Sequence, residues 1–285
     1  MASQFGHGVA QAFRIEPLTS VIGAEILDID LSQPQSDAVH TIIRDALYRW
    51  GVIFFRDQSL TPEQYLALGN RFGVVEAKAT LGHVEGFPQI GRLVKEADHL
   101  TSVGDMWHTD HTYLAHPIGM TMLHAIEIPP IGGDTLFAHA GRAFATLPEG
   151  LKQTLRGLKA LHSRSYLIKD GKYAAQYLKE RPINESEEGK IDARMIHPAV
   201  TIHPETGEEV MFLNPGYVVK FDGWSEKHSA ALLGSLYEHT LQIENQCRFR
   251  WRKGSIAIWD NRLVWHCALN DYQGYRREMH RIMIA

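Results

Sequence analysis

Two side chains that could share a metal ion sit two residues apart in Trp107-His108-Thr109-Asp110. In an extended segment residues i and i+2 point to the same side, so an imidazole and a carboxylate would be offered together. Such a pair suits a divalent transition metal, but the donor set is short by one. A second histidine would complete the two-histidine, one-carboxylate face used by non-haem Fe(II) oxygenases. The chain has sixteen histidines, so a pair of this kind arises by chance and decides nothing alone. His111 follows directly and competes as a ligand, but an extended chain turns it to the opposite face.

The C-terminal third offers the missing donor. Trp259-Asp260-Asn261-Arg262 is followed by His266, and Arg277 and Arg281 lie further on. The two arginines share parity, so on one strand they face the same side, roughly 13 Å apart at about 3.3 Å per residue. Buried guanidinium groups are costly unless anions pair with them. An arginine pair on an inner face therefore implies anionic partners, whereas Arg276, of opposite parity, reads as a surface residue.

These residues need a scaffold that brings distant segments together. Phe13 to Asp30 reads as short strands around a turn at Gly23, and Ser36 to Trp50 as an amphipathic helix. Val52-Ile53-Phe54-Phe55 reads as a buried strand. Thr61-Pro62-Glu63-Gln64 is a helix start with a capping threonine, a first-turn proline and a glutamine three residues on, and the helix is expected to reach Phe72. Strands are expected over Gly82 to Val94, Met120 to Ile128, Asp134 to His139, Gly254 to Trp259, Leu263 to His266 and Arg276 to Ile284, with a half-exposed strand through Phe249 and Trp251. Helices are expected at Pro148 to Leu158 and Ser225 to Gln242. The polar stretch 163–194 reads as a lid insertion into a single domain spanning 1–285. Many short strands with few helices imply a mainly β fold with flanking helices, a sandwich or jelly-roll core.

Three blocks give the chain a family likeness: Trp107-His108-Thr109-Asp110; Gly132-Gly133-Asp134-Thr135; and Trp259-Asp260-Asn261-Arg262 with His266, Arg277 and Arg281. With these it resembles the taurine dioxygenase family of Fe(II)/2-oxoglutarate oxygenases over nearly its whole length. The resemblance implies a double-stranded β-helix, the jelly-roll barrel. It implies that His108, Asp110 and His266 bind Fe(II), that Thr135 and Arg277 hold 2-oxoglutarate, and that Arg281 grips an acidic group of the substrate. O2 is the co-reactant, and succinate and CO2 are products. Tyr217, after Leu213-Asn214-Pro215, falls where the family places an aromatic pocket residue. Lys78 and Leu81 stand where the taurine enzyme has a sulfonate-binding histidine and a tyrosine, and Lys78 adds a second candidate cation. The stretch Gly82-His83-Val84-Glu85-Gly86-Phe87-Pro88 looks more like the aryloxyalkanoate branch. The implied substrate is a small organic anion: a sulfonate, a sulfate ester or an aryloxyalkanoate. A homodimer or homotetramer is the family's usual assembly. A zinc hydrolase could use the same three ligands, and a non-catalytic jelly-roll binder would need no complete triad. The zinc reading does not account for Thr135, Arg277 and Arg281 together.

Composition narrows the classes further. A net charge of -4 argues against a nucleic-acid partner, which calls for a basic face. No run approaches the roughly 20 apolar residues of a membrane helix, and the first residues lack a signal-peptide pattern. Two cysteines, Cys247 and Cys267, are too few for a disulfide framework. The resulting expectation is a cytoplasmic enzyme with no membrane or nucleic-acid partner.

Overall fold

A computed structural model describes residues 13–76, 82–169, 174–180 and 192–285. The strands in chain order are β1 (Arg14–Pro17), β2 (Ala24–Leu27), β3 (Val52–Phe55), β4 (His83–Val84), β5 (Phe87–Lys95), β6 (Met120–Glu127), β7 (Thr135–His139) and β8 (Lys159–Ser163). They continue with β9 (Arg194–Pro198), β10 (Val200–Ile202), β11 (Glu209–Met211), β12 (Val218–Phe221), β13 (Gln246–Phe249), β14 (Ile256–Asp260), β15 (Val264–Ala268) and β16 (Arg277–Ile284). The helices are α1 (Asp37–Trp50), α2 (Pro62–Gly69), α3 (Ala140–Thr146), α4 (Glu149–Arg156), α5 (Arg164–Lys169), α6 (Ala174–Glu180) and α7 (Glu226–Thr240).

The main sheet runs β1-β2-β3-β14-β6-β16-β5-β4, and a second sheet runs β13-β7-β15. Alternation along the central strands explains why both faces of the main sheet are covered. In β3, Val52 and Phe54 enter one core while Ile53 and Phe55 enter the other. Ala257 and Trp259 of β14 follow the first pair, and Ile256 and Ile258 the second. One face packs against α1 and α2. The other packs against the second sheet through Phe54, stacked on Phe249 at 3.9 Å and edge-on to Phe137 at 5.6 Å. A strand buried on both faces must be apolar at every position, and Val-Ile-Phe-Phe is. The fold is therefore mainly β with flanking helices, as expected. Its strands pair as separate sheets, not as one closed hydrogen-bonded ring among the described residues.

Several boundaries differ from the sequence expectations. The capping box at Thr61 and Gln64 forms, but α2 stops at Gly69. The next amides, of Arg71 and Phe72, bond only three residues back in tight turns. Helix α3 was not expected; it opens on His139, whose Nδ1 accepts the Arg142 amide at 3.2 Å, an unusual capping residue. The 163–194 stretch contains α5, α6 and the start of β9, while 170–173 and 181–191 lie outside the described residues. Both cysteines are buried free thiols. No helix among the described residues is long and apolar enough to cross a membrane.

Candidate metal centre and anion pocket

His108 and His266 meet across the inner face. They form an isolated antiparallel bridge, with His108 N donating to His266 O at 3.0 Å and His266 N to His108 O at 2.8 Å. The expected extended segment is thus one bridge residue long; Asp110 already lies in a turn. That suffices, because one ligand atom from each of His108, Asp110 and His266 lies within 4.8 Å of the others. Asp110 Oδ1 is 3.8 Å from His108 Nε2 and 3.9 Å from His266 Nε2. His111 is absent from this cluster: it takes a left-handed φ of 52° and stacks against Tyr113 at 5.5 Å.

Surrounding contacts orient the donors. His108 Nδ1 lies 2.8 Å from the Met106 carbonyl. A carbonyl can only accept, so Nδ1 carries the proton and Nε2 keeps its lone pair for a metal. The His266 ring is held by tilted ring contacts, 4.6 Å from Trp259 and 4.1 Å from His108. Burial, reinforced by His108, pulls its pKa down to about 3, so it is neutral at ordinary pH. Burial opposes the charge on Asp110, but His266, Arg281 and His108 outweigh it and hold the carboxyl well below its usual range. Two imidazoles and one carboxylate are a donor set that fits a divalent iron.

Two glycines allow this crowding. A Cβ on Gly216 would lie 2.6 Å from His108 Cβ, and one on Gly104 3.0 Å from His108 Cε1. Tyr217, next to Gly216, is buried with its ring edge-on to His108 at 6.3 Å and to Tyr113 at 5.2 Å.

A second cluster of buried polar groups gathers around Arg277. Arg277 lies on β16 with 7% exposure, yet its Nε and Nη2 have no hydrogen-bond partner. Tyr272 is its hydrogen-bond neighbour, and burial lowers the pKa of the guanidinium. The indole of Trp251 joins the arginine to Thr135: the guanidinium carbon is 5.9 Å from its ring centroid, and Nε1 donates to Thr135 Oγ1 at 2.9 Å. The Gly133 amide bonds Asp271 Oδ1 at 2.7 Å, anchoring the loop that leads into Thr135. Lys95 stands directly across from Arg277 in the β5–β16 register, its ammonium 4.7 Å from the Tyr272 ring centroid. An aromatic side chain between two buried cations was not anticipated; neither Lys95 nor Tyr272 carries a motif.

Arg281 is half-buried on the same face of β16, with no hydrogen-bond partner among the described residues. It is close enough to act electrostatically on Asp110 and His266. Arg276 faces the other way and pairs with Glu96, Glu127 and Glu278. Lys78 lies outside the described residues.

Residues 14–283 match the family described as "Taurine catabolism dioxygenase TauD, TfdA family". The chain is 32% identical to an alkylsulfatase of Acinetobacter baylyi over 278 residues, covering 96% of this chain and 86% of that protein. It is 31% identical to an alpha-ketoglutarate-dependent sulfate ester dioxygenase of Pseudomonas putida over 277 residues, covering 95% and 89%. The crystal structure of a taurine dioxygenase from Burkholderia xenovorans superposes with a TM-score of 0.80 at 32% identity, covering 96% of this chain and 90% of the other.

Proposed function

The chain belongs to the taurine catabolism dioxygenase TauD, TfdA family, and from that premise we propose that it is an Fe(II)- and 2-oxoglutarate-dependent dioxygenase acting on a small organic anion. The observation that carries this reading is the buried Arg277 guanidinium, with two donor nitrogens unpartnered, on the face of β16 that it shares with Arg281, whose charge reaches Asp110 and His266. A buried cation of this kind calls for a carboxylate, and a two-point arginine–carboxylate pair fixes direction as well as charge.

His108 Nε2, Asp110 Oδ1 and His266 Nε2 would hold the metal on one side. When bound there, Fe(II) supplies the oxygen-activating chemistry that couples conversion of 2-oxoglutarate to succinate and CO2 with substrate hydroxylation. Arg277 takes the far carboxylate of 2-oxoglutarate through Nε and Nη2. Thr135 adds a hydroxyl proton, because its oxygen already accepts from Trp251. Arg281 binds the anionic group of the substrate and thereby sets which C–H bond faces the metal, and Lys78 is a further cation for that group. Tyr217, with Tyr113 behind it, forms an aromatic wall beside His108.

Sulfate esters, sulfonates and aryloxyalkanoates are the substrate classes. Hydroxylation at the carbon bearing such a group gives a product that collapses and releases it. We read the two facing sheets as the halves of the double-stranded β-helix in a single domain. The 163–194 insertion is read as a cover on the substrate side: Arg164 of α5 lies 5.8 Å from the Tyr113 ring, and Glu180 of α6 accepts the Leu100 and Thr101 amides. A cytoplasmic homodimer or homotetramer completes the reading.

The test is anaerobic addition of Fe(II) and 2-oxoglutarate, which should produce a weak visible charge-transfer band that Asp110→Ala abolishes. Succinate release across alkyl sulfates, sulfonates and aryloxy acids then identifies the substrate class. A folded chain with no band, and no succinate above the metal-free background, defeats the proposal.

A further inference from the structure

The buried polar residues behind the metal donors form a chain whose donor directions can be worked out from one end. Trp259 Nε1 donates to Asn261 Oδ1 at 2.9 Å. An indole N–H can only donate, so the amide oxygen of Asn261 must face it and the NH2 must point the other way. That NH2 donates to Thr121 Oγ1 at 2.9 Å. The threonine hydroxyl, having accepted, turns its single proton outward, and Asp110 Oδ2 receives it at 2.7 Å. All four residues are buried, so no bulk water competes for these groups. The amide of Asp110 also reaches Asn261 Oδ1, at 3.4 Å, and Thr109 Oγ1 donates to the Val264 carbonyl at 2.8 Å, so the loop carrying Asp110 is tied to the β14–β15 connection.

The two carboxylate oxygens of Asp110 are thereby made different. Oδ2 is engaged by Thr121; Oδ1 faces His108 Nε2 and His266 Nε2 at 3.8 and 3.9 Å. We infer that Trp259, Asn261 and Thr121 are positioning residues that reserve Oδ1 as the single metal-binding oxygen of Asp110 and keep the carboxylate from chelating through both. The inference rests on the metal-centre reading above. One-point binding matters chemically: a carboxylate gripping through both oxygens would occupy a coordination position that cosubstrate and O2 need. Trp259 serves both halves of the centre, since the ring that starts the relay also packs 4.6 Å from His266. Partners that orient a metal ligand typically carry about 10- to 100-fold in metal affinity.

The experiment uses the full chain and Co(II), whose visible d–d absorption reports coordination number without turnover. Thr121→Val keeps the shape and removes the hydroxyl; Thr121→Ser keeps the hydroxyl. Titration of Thr121→Val should show Co(II) affinity lowered about 10- to 100-fold and a changed absorption envelope, with both restored in Thr121→Ser. Should Thr121→Val not fold, Thr121→Ala gives the same comparison. Native affinity and envelope in the folded valine or alanine variant overturns the relay, as does a serine variant that loses as much as valine. His108→Ala separates the two levels of inference. If it loses Co(II) while Thr121→Val does not, the metal centre stands and the relay falls. If wild type and His108→Ala bind Co(II) alike, both fall.

Discussion

Arg277 is assigned to a ligand that the chain must bind, so replacing it should move the free and bound states in opposite directions. In the free chain Arg277 keeps two buried N–H groups without partners and stands across from Lys95. An unsatisfied buried donor costs about 1–3 kcal/mol, and an apolar side chain of similar volume in place of a buried charge often stabilises by about 1–4 kcal/mol. Arg277→Met forfeits the hydrogen bond to Tyr272, worth about 1 kcal/mol. The net expectation is a variant that, without 2-oxoglutarate, is more stable than wild type by about 1–3 kcal/mol, or roughly 2–4 °C in Tm per kcal/mol for a domain of this size. With 2-oxoglutarate the order reverses. A desolvated charge pair lost from one side costs about 2–5 kcal/mol, which is roughly 30-fold to several thousand-fold in affinity. Wild type at saturating cosubstrate gains about 4 kcal/mol at 1,000 times Kd, and the variant gains little. Thermal unfolding with Ni(II) in place of iron, with and without 2-oxoglutarate, reads both halves. A variant that melts below wild type when free yet keeps the full 2-oxoglutarate shift refutes the assignment.

Arg281→Ala should raise the substrate KM by at least about 10-fold, the loss of one charge-assisted hydrogen bond, and leave the 2-oxoglutarate KM near wild type; steady-state kinetics with each component varied decides, and equal rises contradict the role. Gly216→Ala should push His108 aside, because the new Cβ would sit 2.6 Å from that residue's Cβ, lowering turnover about 100-fold. Gly234→Ala, in α7 with nothing within 4 Å, should leave turnover unchanged and add up to about 1 kcal/mol of stability. The pH dependence follows from His162, whose pKa burial pulls down to about 3, with His197 adding to the effect. An unfolded histidine titrates near about 6.5, so between these values the unfolded chain binds the extra proton. Its contribution is present above about pH 6.5 and is lost progressively as pH falls toward 3. Urea unfolding of the metal-free chain from pH 7 to 5 should therefore show a shallower slope in His162→Gln, by up to about 1.4 kcal/mol per pH unit.

What the sequence made legible was local. The parity of Arg277 and Arg281 follows from strand geometry, the His108–Asp110 pair was marked by residue type and spacing although only His108 sits in a bridge and Asp110 in a turn, and the apolar run 52–55 announced a strand covered on both sides. What stayed hidden depends on contacts between distant segments. Thr121 lies in an apolar strand with nothing to mark it, and Asn261 sat inside a quoted motif without a role until its amide was seen against Thr121. Lys95 resembled any strand-end lysine until the β5–β16 register set it opposite Arg277. Helix α3 escaped because its cap is a histidine and its sequence, Ala-Gly-Arg-Ala-Phe-Ala-Thr, is too short to show a period.

The reciprocal backbone bridge between His108 and His266 has a consequence for how the enzyme is made. The two residues are 158 positions apart (266 − 108), and closing so long a loop is slow and entropically opposed until the strands around it have formed. Synthesis runs from the N-terminus, so His108 and Asp110 leave the ribosome long before their partner exists. In that interval they are an isolated imidazole and carboxylate with little hold on iron. The third donor of the cluster arrives together with β15, so the complete donor set exists only once that strand has docked. A half-made polypeptide is thus spared a redox-active ion before there is a pocket to contain its reactions.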